Sequence, residues 1–255
     1  MCTLSWLPLD GGHLVWHGRD ERTTRQPGEP PSLVTRGGVR ALAPRDPDAG
    51  GTWVGVNELG LTFGLANLYP PEGVAAAPVP VGLVTRGRII DDLLPAECAR
   101  SAADLLAGMD PTVFAPFTLA VLEPGGVPAL HRWDGAAMTH RTVTMPGLLL
   151  TSSGAGRAVE ELRVAEYARL APGSPPRAED IEAIHRSHLE SLGADSFCMH
   201  REEAQTASLT RVRVGPDAIE MTYVPGPPCR TEPLAPVRIV GRTAPGGPHG
   251  ATTGS

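Results

Sequence analysis

The chain has 255 residues, a formal net charge of −6 at pH 7 and a hydrophobic content of 41%, which is ordinary for a globular protein of one large domain or two small ones. The acidic balance argues against a broad nucleic-acid surface, and no apolar run approaches the roughly 20 residues that a membrane-spanning helix needs. All 22 basic residues are arginine, which excludes Schiff-base chemistry on lysine and a P-loop lysine.

The first residues predict an N-terminal nucleophile. Removal of Met1 by methionine aminopeptidase is expected because the Cys2 side chain is small, and Cys2 would then carry both a thiol and a free α-amine. The ordinary pKa of an α-amine is about 7.7–8.0, so the amine can take the thiol proton near neutral pH, and an adjacent ammonium is expected to lower the thiol pKa. Activation by an N-terminal amine is a known catalytic device. Position alone equally fits the second residue of an ordinary strand.

Residues 3–7 and 13–18 are predicted to form two strands around a Gly-rich turn. This hairpin brings Arg19 and Asp20 back toward Cys2. Asp20 is a candidate acceptor for the N-terminal ammonium, and Arg19 is a candidate to orient a substrate carboxylate or carbonyl. The alternative is a solvated charged turn, which is the more common fate of such charge runs.

The next elements are predicted in chain order from apolar periodicity and from Gly and Pro positions. Residues 23–38 are expected to form a surface loop, 39–43 a strand, and 52–57 with 61–67 a second hairpin. Residues 70–82 are a predicted loop, and 85–94 and 96–106 are predicted helices. Asn67 ends a predicted strand, where it is either a turn former or an amide donor to an oxyanion.

The second half predicts a run of strands, two helices and further strands. Strands are expected at 117–123, 128–133, 137–143 and 147–152, and helices at 157–170 and 178–192. A last hairpin is expected at 206–214 and 218–224, with one more strand at 230–240. Residues 241–255 are predicted to be a disordered tail, which leaves 2–240 as a single domain. The pattern by itself predicts an α+β fold.

Three segments resemble a known family. They are Met1-Cys2-Thr3, Gly18-Arg19-Asp20-Glu21, and 43–46 leading into 50–57. Together they resemble the NRDE family of transport-and-Golgi-organisation proteins, relatives of the N-terminal-nucleophile (Ntn) hydrolases, and the resemblance continues at 65–69 and 196–200 to cover most of 2–224. It implies a four-layer αββα sandwich of two mainly antiparallel sheets.

The chain departs from the family pattern at three places. The asparagine of the family's name motif is Gly18 here, the Ser-Asn of a later strand is Ser152-Ser153, and the Thr-Arg near the C-terminal strands is Thr206-Ala207. The last two departures fall on candidate substrate-binding positions. They therefore affect the expected activity and specificity more than the expected fold.

The leading interpretation is an N-terminal cysteine amidohydrolase acting on a small non-peptide or linear amide. The expected catalytic residues are Cys2, Arg19, Asp20 and Asn67, and the expected substrate-binding residues are Trp6, Ser152, Ser153 and Thr206. The expected partner is a small-molecule substrate or ligand, without nucleic acid or a membrane span, and the pattern predicts no oligomeric state. The alternative is a non-catalytic protein of the same fold that binds or traffics haem or an acyl-lipid.

The cysteine pattern predicts neither a metal site nor a disulfide. Cys2, Cys98, Cys198 and Cys229 are widely separated and form no CxxC pair, so no metal or other cofactor is expected and Cys198 is interpreted as a packed structural residue. The histidines at 185 and 188 are expected on a solvated helix face.

No secretory signal is recognisable, which favours a cytoplasmic location. The absence of lysine among abundant Ala, Gly and Pro is typical of a GC-rich bacterial genome.

Overall fold

The structure, a computed structural model, describes residues 2–69, 83–189 and 191–242. Within them the chain forms thirteen β-strands and four α-helices. The strands are β1 (Cys2–Leu9), β2 (Gly12–Arg22), β3 (Glu29–Arg36), β4 (Val39–Arg45), β5 (Val54–Asn57), β6 (Thr62–Asn67), β7 (Phe117–Leu122), β8 (Ala129–Trp133), β9 (Met138–Thr142), β10 (Gly147–Ser152), β11 (Ala204–Val214), β12 (Ala218–Val224) and β13 (Val237–Val240). The helices are α1 (Gly87–Leu93), α2 (Ala99–Ala107), α3 (Arg157–Leu170) and α4 (Ala178–Arg186).

The strands form two antiparallel sheets. Sheet A has the strand order β10-β1-β2-β11-β12-β13, and sheet B has the order β3-β4-β5-β6-β7-β8-β9. In sheet A, β1 pairs with β10 on one side and with β2 on the other. The N-terminal strand therefore lies inside a sheet, where its first residue has a strand on both sides.

The sheets stack face to face over a shared apolar core. Leu4 and Trp6 of β1 and Val54 and Val56 of β5 belong to this core, and each is 6% exposed or less. Full burial of a side chain such as Leu or Val contributes about 1.5–3 kcal/mol, so the sheet–sheet interface is a major stabilising feature. Gly64 of β6 allows the close approach of β1, because a Cβ there would collide with the Leu4 side chain.

Helices cover the outer face of each sheet. Ile90 of α1 packs with Phe63 in the layer over sheet B, and Ile184 of α4 packs with Trp16 in the layer over sheet A. Tyr167 brings α3 into this second layer. The arrangement is the predicted four-layer αββα sandwich.

The prediction of a loop over 23–38 is wrong in its second half, where β3 forms the edge of sheet B. Pro30 and Pro31 had suggested a loop because proline cannot donate to a ladder. They lie where the pairing with β4 shifts register, between Glu29 and Ser32. An edge strand with an irregularity is a position where proline is tolerated.

Several predicted boundaries also differ. Strand β2 continues through Arg22, beyond the expected end at residue 18, and the expected strand at 230–240 is confined to β13. Helix α4 ends at Arg186 instead of residue 192. Ser187 has an extended backbone (φ −82°, ψ 156°), and its carbonyl accepts a hydrogen bond from the Cys198 N–H at 2.7 Å. A tertiary contact therefore ends this helix.

The predicted loop at 70–82 and most of the predicted tail at 241–255 lie outside the described residues. Among the described residues, no helix is both long enough and apolar enough to cross a membrane.

Candidate active site

Cys2 is the first residue of β1 and lies between two neighbouring strands. It pairs with Arg19 on β2 and with Ser152 on β10. Directly paired residues of antiparallel strands point to the same face of a sheet, so these three side chains share the face that packs against sheet B. The Cys2 backbone nitrogen donates a hydrogen bond to Ser152 Oγ at 3.2 Å.

The Cys2 thiol is buried, with 8% of the residue exposed. Burial raises the pKa of the thiol and the nearby Asp20 carboxylate raises it further, whereas the N-terminal ammonium, the Arg19 guanidinium and the Asp20 backbone N–H lower it. Burial outweighs the opposing effects in the chain that begins at Met1, and a lowered pKa for Cys2 as the first residue stays a prediction. The thiol therefore needs a base beside it to react near neutral pH.

Arg19 is held rigidly next to Cys2. Its Nη2 donates to Glu21 at 3.1 Å and to Asp46 at 3.0 Å, and its guanidinium lies 4.4 Å from the ring centroid of Trp53. Its Nη1 is buried and has no hydrogen-bond acceptor among the described residues. A fixed guanidinium with an unused donor is suited to binding an oxygen of a ligand.

The Asp20 side chain follows Arg19 on the strand and therefore points to the opposite face, toward the helices. Thr206 Oγ1 donates to it at 2.6 Å, and Arg163 of α3 forms an ion pair with it at 3.4 Å. Because β2 extends past residue 18, strand alternation separates Arg19 from Asp20. The alternative of a solvated charged turn is wrong, because Arg19 and Asp20 are buried residues of a strand and their side chains lie on opposite faces of sheet A.

The remaining predicted site residues lie at different distances from Cys2. Ser152 contacts it directly. Ser153 is buried in the turn that leads to α3, where its N–H donates to Glu160 at 2.9 Å and its Oγ accepts from the Ala155 N–H. Trp6 is in the sheet–sheet core, four residues along β1 and hence about 13 Å from Cys2.

Thr206 is fully buried on the helix side of sheet A. Its Oγ1 donates to Asp20 and accepts from the Met199 N–H at 2.8 Å. The structure thus places Thr206 under the site, next to Asp20, and not on the face that Cys2 shares with Arg19.

Arg86 interacts electrostatically with Cys2, which the sequence did not predict. Burial lowers the pKa of its guanidinium, while Tyr69, Cys2 and Glu21 raise it. Its Nη1 donates to the Pro116 carbonyl at 2.9 Å. Nothing in the local sequence distinguishes Arg86 from the other arginines; only its tertiary position does.

Asn67 lies at the end of β6 and is partly buried. Its Nδ2 donates to the Tyr69 hydroxyl over a long distance of 3.4 Å. A long hydrogen bond of this kind is weak, so the amide is available to a better acceptor.

A groove of about 820 Å³ is lined by Ser152 and by parts of β8, β9, β10 and α3. Its lining combines apolar side chains with charged side chains of both signs. The apolar residues include Leu130, Leu148, Leu149, Leu150 and Val164, the arginines are Arg132, Arg141 and Arg157, and the carboxylates are Glu160 and Glu161, of which Glu161 pairs with Arg157. Because Ser152 also accepts a hydrogen bond from the Cys2 nitrogen, the groove adjoins the nucleophile. Its chemistry suits a partly apolar molecule with polar groups.

No protein-family model matches the chain, and no curated protein matches it in sequence. Solved structures do match. The N-acylethanolamine-hydrolyzing acid amidase (NAAA) ortholog of Caenorhabditis elegans has a TM-score of 0.56 at 12% identity, over 83% of this chain and 92% of that chain. Penicillin V acylase from Agrobacterium tumefaciens has a TM-score of 0.50 at 12% identity, over 87% and 82%. A variant of conjugated bile acid hydrolase from Clostridium perfringens has a TM-score of 0.51 at 10% identity, over 99% and 100%.

The chain has an Ntn-hydrolase-like fold. At identities of 10–12% the likeness establishes the fold alone. The predicted fold class is confirmed, whereas the NRDE resemblance rests on the sequence motifs.

The structure contradicts the sequence-based expectation for His185 and gives Cys198 neighbours that the sequence did not predict. The prediction of a solvated face is wrong for His185, which is 1% exposed, bonds to Ser5 Oγ at 2.9 Å and has its pKa lowered to about 3 by burial. Cys198 is buried as expected, and burial raises its pKa to about 12. It lies beside His200 and Cys229, a grouping that the wide sequence spacing concealed.

Proposed function

We propose that this protein is an N-terminal cysteine amidohydrolase acting on a small non-peptide or linear amide, as a relative of the NRDE proteins that its motifs resemble. The observation that carries the proposal is the setting of Cys2 in an Ntn-hydrolase-like fold. Its backbone nitrogen donates a hydrogen bond to Ser152 Oγ. The Asp20 backbone N–H and the Arg19 guanidinium lower the pKa of its thiol, and the Arg86 guanidinium interacts with it electrostatically.

The reaction begins with a proton transfer. When Met1 is removed, the nitrogen that donates to Ser152 becomes a free α-amine, and it takes the thiol proton that burial otherwise retains. The sulfur then attacks the amide carbonyl carbon, the ammonium returns its proton to the leaving amine, and the C–N bond breaks to give a thioester. Water, deprotonated by the same amine, hydrolyses the thioester and releases the acid.

Charge that develops on the carbonyl oxygen needs fixed donors. We assign this role to Asn67 Nδ2 together with a backbone N–H. Arg19 Nη1 is the unused buried donor and is assigned to substrate positioning. Arg86 adds a second cation, so the proposal favours amides whose acyl part carries a carboxylate or another acceptor.

Asp20 and Thr206 are positioning residues in this proposal. The Asp20 backbone N–H lowers the pKa of the Cys2 thiol, while the Asp20 carboxylate is held by Thr206 and Arg163. The anchor fixes the end of β2 against the start of β1. Ser153 and Trp6 support the turn and the core around the site. The catalytic unit is proposed to be one domain over 2–240. A cytoplasmic location in a bacterium fits its four unpaired cysteines.

The proposal is tested by acyl transfer to Cys2. The purified chain is first examined by intact mass, with Cys2 expected as its first residue. It is then incubated with p-nitrophenyl acetate and p-nitrophenyl decanoate, and the acylated residue is located by peptide mass spectrometry. Finally, a panel of N-acyl amines is assayed for amine release. Cys98→Ser is the matched control, because serine keeps the N-cap hydrogen bond that Cys98 provides to α2.

The expected result is a Cys2 thioester and amine release, both abolished in Cys2→Ala and retained in Cys98→Ser. Retention of Met1, acylation of another cysteine, or equal activity of Cys2→Ala would each contradict the proposal.

A non-catalytic role on the same fold is the second candidate. The leucines that line the groove favour an acyl-lipid over haem as its ligand. This role predicts stoichiometric retention of a fatty acyl ligand that is unaffected by Cys2→Ala, with no amine release from any amide in the panel.

A further inference from the structure

Two segments that are distant in the sequence meet near the C-terminal end of α4. Cys198 and His200 belong to the segment before β11, which hydrogen-bonds back to Ser187 through the Cys198 N–H, and Cys229 lies in the loop between β12 and β13. The ligand atoms of Cys198, His200 and Cys229 all lie within 4.8 Å of one another. None of the three is among the residues of the proposed reaction.

The distances match those between ligands on one tetrahedral ion. His200 Nε2 is 3.5 Å from Cys198 Sγ and 3.2 Å from Cys229 Sγ. Zinc–sulfur and zinc–nitrogen distances of about 2.3 Å and 2.0–2.1 Å require a sulfur–nitrogen separation of about 3.5 Å on a tetrahedron. The two measured separations therefore need little movement to admit an ion.

A fourth donor is next to the cluster. The His188 ring is edge-on to that of His200, with centroids 5.8 Å apart. His188 is exposed and follows the end of α4, so a side-chain rotation can bring an imidazole nitrogen to the open position of the tetrahedron.

We propose that Cys198, His200 and Cys229 bind one Zn²⁺ ion and that His188 completes a closed tetrahedral site. Two thiolates with two imidazoles are a ligand set typical of structural zinc. Binding releases the two thiol protons to solvent and changes no oxidation state. Cys198 forms the buried side of the site, and the exposed Cys229 gives the ion access from solvent.

The proposed zinc site would stabilise residues 196–200, which hold the hydrogen-bond partner of Asp20 in place. Met199, between two of the ligands, exchanges hydrogen bonds with Thr206, and Thr206 donates to Asp20. The Ser196 carbonyl of the same segment accepts from Arg163 at 2.6 Å. Zinc is therefore expected to stabilise the contacts of Thr206 and Asp20 on the helix side of sheet A without contacting the Cys2 site.

The test uses the full chain, stripped with a chelator under reducing conditions and titrated with Zn²⁺. We expect one zinc per chain by elemental analysis, a higher melting temperature on zinc addition, and tetrahedral Co²⁺ bands with sulfur charge transfer on cobalt substitution. Cys229→Ser changes an exposed residue and is expected to fold, yet to lose both the zinc and the thermal shift. Cys98→Ser is the control that keeps all four ligands, and His188→Gln is expected to weaken binding without abolishing it.

The proposal is overturned if the reduced chain binds no stoichiometric zinc or if Cys229→Ser binds as much as the unaltered chain. It is also overturned if Cys198 and Cys229 are joined by a disulfide and, after reduction, still bind no metal. Because zinc content and melting temperature do not depend on catalysis, failure here leaves the proposed amidohydrolase function untouched.

Discussion

Two buried arginines on opposite faces of sheet A occupy contrasting environments. Arg163 is 0% exposed and donates to Asp20, to the Ser196 carbonyl, and to Thr3 Oγ1 at 3.1 Å. Arg19 is 4% exposed and has two carboxylate partners, but its Nη1 has no acceptor among the described residues. Each guanidinium also keeps one buried nitrogen without an acceptor among the described residues, Nε in Arg163 and Nη1 in Arg19. The difference is that both terminal nitrogens of Arg163 are bonded to separate elements, whereas Arg19 has a whole terminal nitrogen unused.

The contrast shows that burial alone does not separate a structural charge from a functional one. Both side chains are out of water, and both have anionic partners. The difference lies in the elements that each side chain connects. Arg163 links α3 to three separate segments, whereas Arg19 bonds to two partly exposed carboxylates, Glu21 and Asp46. Removing Arg163 should therefore damage the fold, and removing Arg19 should damage ligand binding.

Acid pH is expected to lower the stability of the protein more than any substitution below, because it protonates buried histidines on both faces of sheet A. Burial lowers the pKa of His17, on the sheet–sheet side, to about 4 and that of His185, on the helix side, to about 3; His13 is likewise lowered to about 4. Because these folded-state values lie below about 6.5, the unfolded chain binds protons first as the pH falls. Stability is full above about pH 6.5 and is lost toward pH 4, by on the order of a few kcal/mol for each histidine.

Urea unfolding between pH 7 and pH 4 measures this loss. His17→Gln and His185→Gln should each flatten the pH dependence, while His140→Gln, at an exposed position, should not. A stability that stays constant from pH 7 to pH 4 would show that the buried histidines are not the acid-sensitive groups.

Arg163→Met should be the most harmful of the arginine substitutions. It removes the Arg163 cation from the buried ion pair with Asp20, and breaking a buried pair in this way costs about 3–5 kcal/mol. The free energy of unfolding in urea at pH 7 is the measurement. Adding Asp20→Asn should recover part of the loss because the uncompensated charge is then removed. A loss below about 1 kcal/mol would mean that Arg163 and Asp20 are weakly coupled.

Arg19→Met is expected to reduce the acylation of Cys2 much more than it reduces stability. Glu21 and Asp46 are partly exposed, at 24% and 14% of their side chains, so water can solvate them and the stability loss should stay near 1–2 kcal/mol. Acylation of Cys2 by p-nitrophenyl esters should fall by about 100-fold, the effect expected of a misplaced substrate. An unchanged acylation rate with normal folding would remove Arg19 from the proposed site.

Arg100→Ala gives the baseline for the comparison. Its side chain is 85% exposed and pairs with Asp104 one helical turn away on α2, away from the groove. Exposed pairs of this spacing contribute about 0.3–0.5 kcal/mol, so thermal unfolding and Cys2 acylation should both be nearly unchanged. A large change in stability would mean that exposed arginines also contribute substantially to folding.

Much of the fold was predictable because it depends on local periodicity. The alternating residues of β1 and β2 and the apolar spacing of α1 to α4 identify strands and helices without knowledge of the partner. The exceptions are informative. Strand β3 escaped prediction because its prolines are acceptable only at a sheet edge, and the end of α4 depends on a hydrogen bond from Cys198, eleven residues further on.

Local residue patterns place Cys2 at the start of a strand and bring Arg19 back beside it, because a short hairpin fixes that register. Tertiary packing sets the face that Asp20 occupies and holds its carboxylate with Arg163 and Thr206. It also brings Arg86 toward the thiol and Cys229 to Cys198 and His200. These contacts connect residues tens to almost two hundred positions apart. The local spacing of apolar residues predicts the strands, the helices and their buried faces. The pairing of polar side chains depends on how the layers stack, and residue spacing along the chain carries no information about that stacking.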